Sequence, residues 1–127
     1  MSTFPYSIEI GDFEGLHFEP LEALVDTGAT YSTIPSDVLD RLGATPVEER
    51  RFILANGQPV NYGVSWVRVR IDGREQPTLV IFAPPGSRPL LGAFTLEGFG
   101  LMADPLNHRL VPAEAYLVGI VEDERGV

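Results

Sequence analysis

Glycine and proline constrain this chain more than any other feature. Thirteen glycines and eleven prolines are spread along 127 residues and interrupt the apolar runs after a few positions. Gly lets the backbone turn and Pro removes a donor, so scattered breakers argue for short strands joined by many turns. Within the runs, residues 6–10 and 16–25 read as strands, the second alternating at first and becoming continuously apolar near Asp26. A strand that loses its polar side near one end is entering a core. Residues 31–34 form another short strand, and the best helix candidate runs from Pro35 or Ser36 to Leu42, with Asp37 in its first turn and Gly43 behind it.

From residue 47 to 82 the pattern is a run of antiparallel strands. Asn56-Gly57 reads as a two-residue hairpin turn, and Asp72-Gly73 as a second one. Residues 83–86 break the sheet. After Leu90-Leu91-Gly92, residues 93–97 suggest a short helix ended by Gly98, and residues 104–107 a turn between Leu101-Met102-Ala103 and Arg109-Leu110-Val111. A terminal strand is expected over 116–121 and a frayed acidic end over 122–127. The expected fold is all-β, mainly antiparallel, with one or two short helices, in one domain spanning 1–127.

Charge and composition exclude several functions. A net charge of −9 argues against nucleic-acid binding, which needs a basic face. Absence of cysteine removes thiol nucleophiles, disulfides and Cys-ligated zinc. His17 and His108 lie far apart without Glu-x-x-His spacing, so no metal is expected. Residues 1–5 show no basic segment leading into an apolar run, and no stretch approaches the roughly 20 apolar residues of a membrane span. A cytoplasmic protein without membrane contact is the expectation.

The chemistry concentrates at Leu24-Val25-Asp26-Thr27-Gly28-Ala29-Thr30, where an apolar strand delivers one Asp into a tight turn. Carboxylate-based peptide hydrolysis needs one ionised Asp to activate water and one protonated Asp to polarise the carbonyl. Gly28 lets the backbone turn and Ala29 leaves room for a substrate, while Thr27 offers a hydroxyl. Asp-Thr-Gly occurs once in the chain, so a second such carboxylate has to come from another copy. Asp104-Pro105 reads as a turn instead, because no Thr-Gly or Ser-Gly follows it. No Gly-x-Ser-x-Gly elbow is present for serine chemistry. Trp66 reads as core or a groove wall, and Phe94, Leu96 and Phe99 as packing.

These residues resemble the retropepsin-like aspartic proteases. Residues 24–34 follow that family's motif, Pro35 and a short helix come next as in cellular and bacterial members, and Leu90-Leu91-Gly92 matches its apolar-apolar-Gly element. The resemblance implies a retropepsin-like acid protease barrel, one half of a pepsin-like enzyme, working as a homodimer on extended peptides without a cofactor. It implies Asp26, Thr27 and Gly28 as the catalytic turn, with Thr27 in a reciprocal contact between subunits. Ala29 and Thr30 would line the substrate, and Ala55, Asn56, Gly57 and Gln58 would form a flap above it. The family pairs chain termini at its dimer interface, which points to residues 6–10 or 116–121. Thr30 stands where better-known members have an acidic residue or serine, so their subsite preference does not carry over. A second reading keeps the fold without turnover, as a dimerisation or peptide-binding module holding strands by β-augmentation.

Overall fold

The computed structural model describes residues 3–120. Strands β1 (Phe4–Gly11) and β2 (Phe18–Val25) pair antiparallel, from Phe4 opposite Val25 to Gly11 opposite Phe18. β2 starts two residues later than alternation suggests, because Asp12 claims the turn. Its Oδ1 accepts the N–H groups of Leu16 and His17 at 3.0 and 2.7 Å, and Gly15 sits at φ +75°. Leu16 is left exposed. Hydrogen bonds from the backbone at His17 and Leu16 hold the Asp12 carboxyl below its usual range.

β3 (Ser32–Pro35) runs into α1 (Ser36–Arg41), with Pro35 at the N-cap, Asp37 in the first turn and Gly43 in the left-handed region beyond the end. These are the limits the sequence signals gave, within one residue. Val38 and Leu39 bury the helix's apolar face.

β4 (Glu48–Ile53), β5 (Pro59–Ile71) and β6 (Arg74–Ala83) form an antiparallel ribbon. Asp72 and Gly73 both take positive φ, 51° and 81°, which makes the expected two-residue turn. The other hairpin departs from expectation. Only Gly57 has positive φ there; its N–H bonds Leu54 O at 2.8 Å, and Leu54 N–H bonds Gln58 O at 2.8 Å. The loop therefore holds Ala55, Asn56 and Gly57, a tight turn followed by a glycine bulge. Asn56 contributes through its side chain, accepting the Gln58 N–H at 3.0 Å.

β7 (Leu90–Leu91) lies parallel to β2 and antiparallel to β3, and α2 (Ala93–Phe99) follows. This helix runs through Gly98 and stops at Gly100, which takes the left-handed cap at φ 66°. Burial of Phe99 against the core favours the extra residues. β8 (Leu101–Asp104) and β9 (Arg109–Pro112) make a separate hairpin. Asp104 closes its turn by accepting Leu106 N–H at 3.2 Å, Asn107 N–H at 3.3 Å and Arg109 Nε at 3.2 Å. Asp104 is thus the turn residue its sequence context indicated.

The terminal strand expected over 116–121 does not form across its described part. Residues 116–120 pair with nothing in the sheets, and Tyr116 and Val118 are 101% and 95% exposed. A short apolar run supplied the signal, but no strand edge receives it. Val121 and the acidic end 122–127 lie outside the described residues.

Strand order β1-β2-β7-β3-β6-β5-β4 gains a further pairing between Glu9–Gly11 of β1 and Arg68–Arg70 of β5. That contact closes six strands into a barrel and leaves β4 outside as an edge carrying Glu48, Glu49, Arg50 and Arg51, charges that discourage edge-to-edge association. Inside the barrel, Phe4, Ile10, Val25, Ile34, Leu39, Val67, Val69, Ile71, Val80 and Leu91 form the core. The fold is all-β with two short helices, as the breakers and alternation implied.

Candidate active site

Asp26 is the first residue beyond β2, and hydrogen bonds to the β7 segment fix its backbone. Leu24 N–H reaches Pro89 O at 2.9 Å and Asp26 N–H reaches Leu91 O at 3.0 Å. The chain then folds back, with Ala29 N–H on Asp26 O at 3.1 Å and Gly28 N–H on Asp26 Oδ1 at 3.0 Å. This is an Asx-type turn in which the carboxylate orients its own loop. Asp26 and Ala29 are half-buried, whereas Thr27, Gly28 and Thr30 are exposed. One carboxylate oxygen is thus held and the group stays accessible.

The loop continues into α2. Ala93 N–H donates to Ala29 O at 2.9 Å and Phe94 N–H to Thr30 O at 2.8 Å, so the carbonyls at the loop's end meet the donors at the helix start. Gly92 makes this approach possible. A Cβ there would meet the Tyr31 carbonyl carbon at 2.6 Å and oxygen at 2.7 Å. Leu90-Leu91-Gly92 is therefore the cradle of the Asp26 loop, and its glycine is required by space, since its φ of −96° suits any residue.

Beneath the loop lies a chain of buried hydroxyls that the sequence reading missed. Gly92 N–H donates to Ser32 Oγ at 3.0 Å, Ser32 Oγ lies 2.6 Å from Thr95 Oγ1, and Thr95 Oγ1 lies 2.9 Å from Thr78 Oγ1. It ties β3, β6 and α2 to the cradle. The available signal was small hydroxyl residues at inward positions of apolar runs, Thr78 before Leu79-Val80-Ile81-Phe82 and Thr95 beside Leu96. Thr95→Val keeps the shape and removes the central hydroxyl. A loss of about 1–3 kcal/mol is expected, read from urea unfolding with an unchanged slope.

Ala55, Asn56, Gly57 and Gln58 are all exposed at the tip of the β4–β5 hairpin. That hairpin reaches the Asp26 side of the molecule through Phe52, whose ring meets Tyr31 edge-on at 6.5 Å. Tyr31 also touches Phe94 at 5.7 Å, and Phe94 touches Trp66 at 6.3 Å. Phe94 and Trp66 are exposed on one side, unlike the buried Leu96 and Phe99. Among the described residues no group of three or more His, Asp or Glu could hold a metal ion. No helix there is long and apolar enough to cross a membrane.

The model of the aspartyl protease family matches residues 7–94. Among solved structures, the chain is similar to the protease of simian foamy virus (mac), with 22% identity and a TM-score of 0.55 over 76% of this chain and 94% of that one. That likeness is one of fold, a retropepsin-like barrel. No curated protein matches the chain. The family match takes in the strand that delivers Asp26, the projecting hairpin and the Leu90-Leu91-Gly92 cradle, and on that extent the chain belongs to the aspartyl protease family.

Proposed function

We propose that the protein is an aspartic endopeptidase whose active site forms when two copies of the chain meet, each supplying Asp26. The observation that carries this reading is the half-buried Asp26 carboxylate, pinned at one oxygen by Gly28, in a chain with a single Asp-Thr-Gly. Juxtaposing two such carboxylates opposes their joint ionisation, so one keeps a proton. The ionised Asp26 takes a proton from water as the water oxygen bonds the scissile carbonyl carbon. The protonated Asp26 of the other copy gives its proton to the carbonyl oxygen. Collapse of the tetrahedral intermediate breaks the C–N bond, and a proton passes to the departing amine. No covalent enzyme intermediate or cofactor is needed.

Thr27 and Gly28 belong to this turn, Thr27 at the contact between copies. Ala29 and Thr30 line the substrate strand, and Ala55, Asn56, Gly57 and Gln58 close over it. The exposed tip and the Phe52–Tyr31 contact favour that role for the hairpin.

Residues 116–120 suit the interface better than residues 6–10. β1 is paired along its whole length with β2, and partly with β5, whereas Tyr116, Leu117, Val118 and Ile120 are exposed and unpaired. A Leu117→Lys, Val118→Lys double variant is expected to weaken self-association at least about tenfold, since it leaves two charges in an apolar contact. Sedimentation equilibrium reads this; an unchanged dimer would remove this segment from the interface.

Mass-spectrometric cleavage mapping of a diverse peptide library across pH tests the activity. Internal cuts are expected, fastest from acidic to near-neutral pH because one Asp must stay protonated. A rate still rising beyond about pH 8 would contradict a shared proton, and binding without cuts would leave a peptide-binding module.

A further inference from the structure

β5 has a gap on one edge. β4 covers it from Pro59 to Val64 and β1 from Arg68 to Arg70, so residues 65–67 have no strand there. The two-residue turn makes Ile71 and Arg74 a hydrogen-bonded pair, and alternation then directs the main chain of Val69, Val67 and Ser65 toward β6. Trp66 is left with its N–H and C=O pointing into the gap.

A cavity of about 490 Å³ opens at this place. Asp12, Phe13 and Glu14 from the β1–β2 turn line it, with residues 42–45, Val47, Ser65 and Trp66. It contains none of residues 26–30 or 55–58. Ser65 is 6% exposed, and its hydroxyl, which makes no hydrogen bond among the described residues, keeps its oxygen accessible to solvent. An accessible hydroxyl on a cavity wall can accept a hydrogen bond from a ligand in place of water.

We propose that this gap is a second binding site, taking an extended peptide segment of another protein that carries an arginine or lysine side chain. The peptide main chain pairs with the open N–H and C=O of Trp66, adding one strand register to the edge. Its cation lies between Asp12 and Glu14, with Ser65 accepting a further hydrogen bond. The nearby Arg68 does not cancel this field. Its guanidinium donates to Phe13 O at 2.7 Å and pairs with Glu75 at 3.5 Å, and Arg68 is not part of the lining. The N–H donors on Asp12 keep that carboxylate ionised. Such a volume lies within the roughly 300–1,000 Å³ of small-ligand sites, and the chain's net charge of −9 steers basic segments toward it. Binding here needs none of the proposed chemistry at Asp26.

The test uses the Asp26→Asn protein, so that cleavage plays no part, and follows its amide spectrum during titration with acetyl-Val-Arg-Val-amide. Saturable shifts are expected at Ser65, Trp66 and residues 12–14. The citrulline counterpart, equal in shape and uncharged, should bind at least about tenfold more weakly. Ser65→Ala should weaken binding about fivefold, and Glu14→Gln should weaken the arginine peptide while leaving the citrulline peptide unchanged. Three results overturn the proposal: no shift at these amides up to about 10 mM peptide, equal binding of the citrulline peptide, or shifts confined to residues 26–30 and 55–58.

Discussion

Asp26→Asn is expected to slow peptide cleavage about 1,000-fold or more, because it removes the proton acceptor from the attacking water and the shared proton with it. The substitution is nearly isosteric, and an Asn side-chain oxygen can still accept the Gly28 N–H that orients the loop. The fold should therefore survive, with the amide spectrum and thermal midpoint close to wild type. Both observables belong in the same experiment. A large rate loss with an intact fold assigns the effect to chemistry, whereas a variant cleaving within about tenfold of wild type would remove Asp26 from catalysis.

Gly92→Ala tests the cradle rather than the carboxylate. One methyl group would sit 2.6 Å from a backbone atom of Tyr31, and backbone cannot rotate aside as a flexible side chain would. Relief requires separating the Asp26 loop from the start of α2, which strains the bonds from Ala93 to Ala29 and from Phe94 to Thr30. Overpacking of this kind costs about 1–3 kcal/mol, and the strained bonds push the expected loss to the upper end. Cleavage should fall with it, since the displaced atoms carry Asp26. Denaturant unfolding and initial rates read the two effects. An unchanged midpoint with full activity would show that the loop and helix can part freely.

Much of this architecture was legible in the residues. Alternation located β5, because a half-buried strand must alternate, a continuous apolar run located the part of β6 that is buried from Thr78 to Ala83, and Asp72-Gly73 marked a turn whose two residues both take positive φ. Asn56-Gly57 carries the same kind of signal and yields a different loop. Pairing of Leu54 with Gln58 places Ala55 inside the turn and leaves positive φ to Gly57 alone. Residues 116–120 mislead for a related reason, since apolar character states a need for burial without saying which edge meets it. Gly98 has the pattern of a helix end and lies inside α2, because burial of Phe99 outweighs the modest helix cost of one glycine. At the site, the Asp26 turn and Leu90-Leu91-Gly92 were legible as separate motifs. Their mutual contact and the Ser32–Thr95–Thr78 hydroxyl chain join residues 63 and 17 positions apart, a distance that local patterns do not span.

The central claim is that two chains share one active site, and a mixing experiment tests it most directly. Wild-type chain at fixed concentration is equilibrated with a tenfold excess of Asp26→Asn, at a total concentration where sedimentation shows dimers, and cleavage of one library-derived peptide is followed. Random pairing under twofold symmetry leaves about one wild-type chain in eleven with a wild-type partner, so the rate should fall to roughly a tenth. A rate unaffected by the excess, with exchange of chains verified by labelled protein, would mean that each chain cleaves on its own and would contradict the shared site.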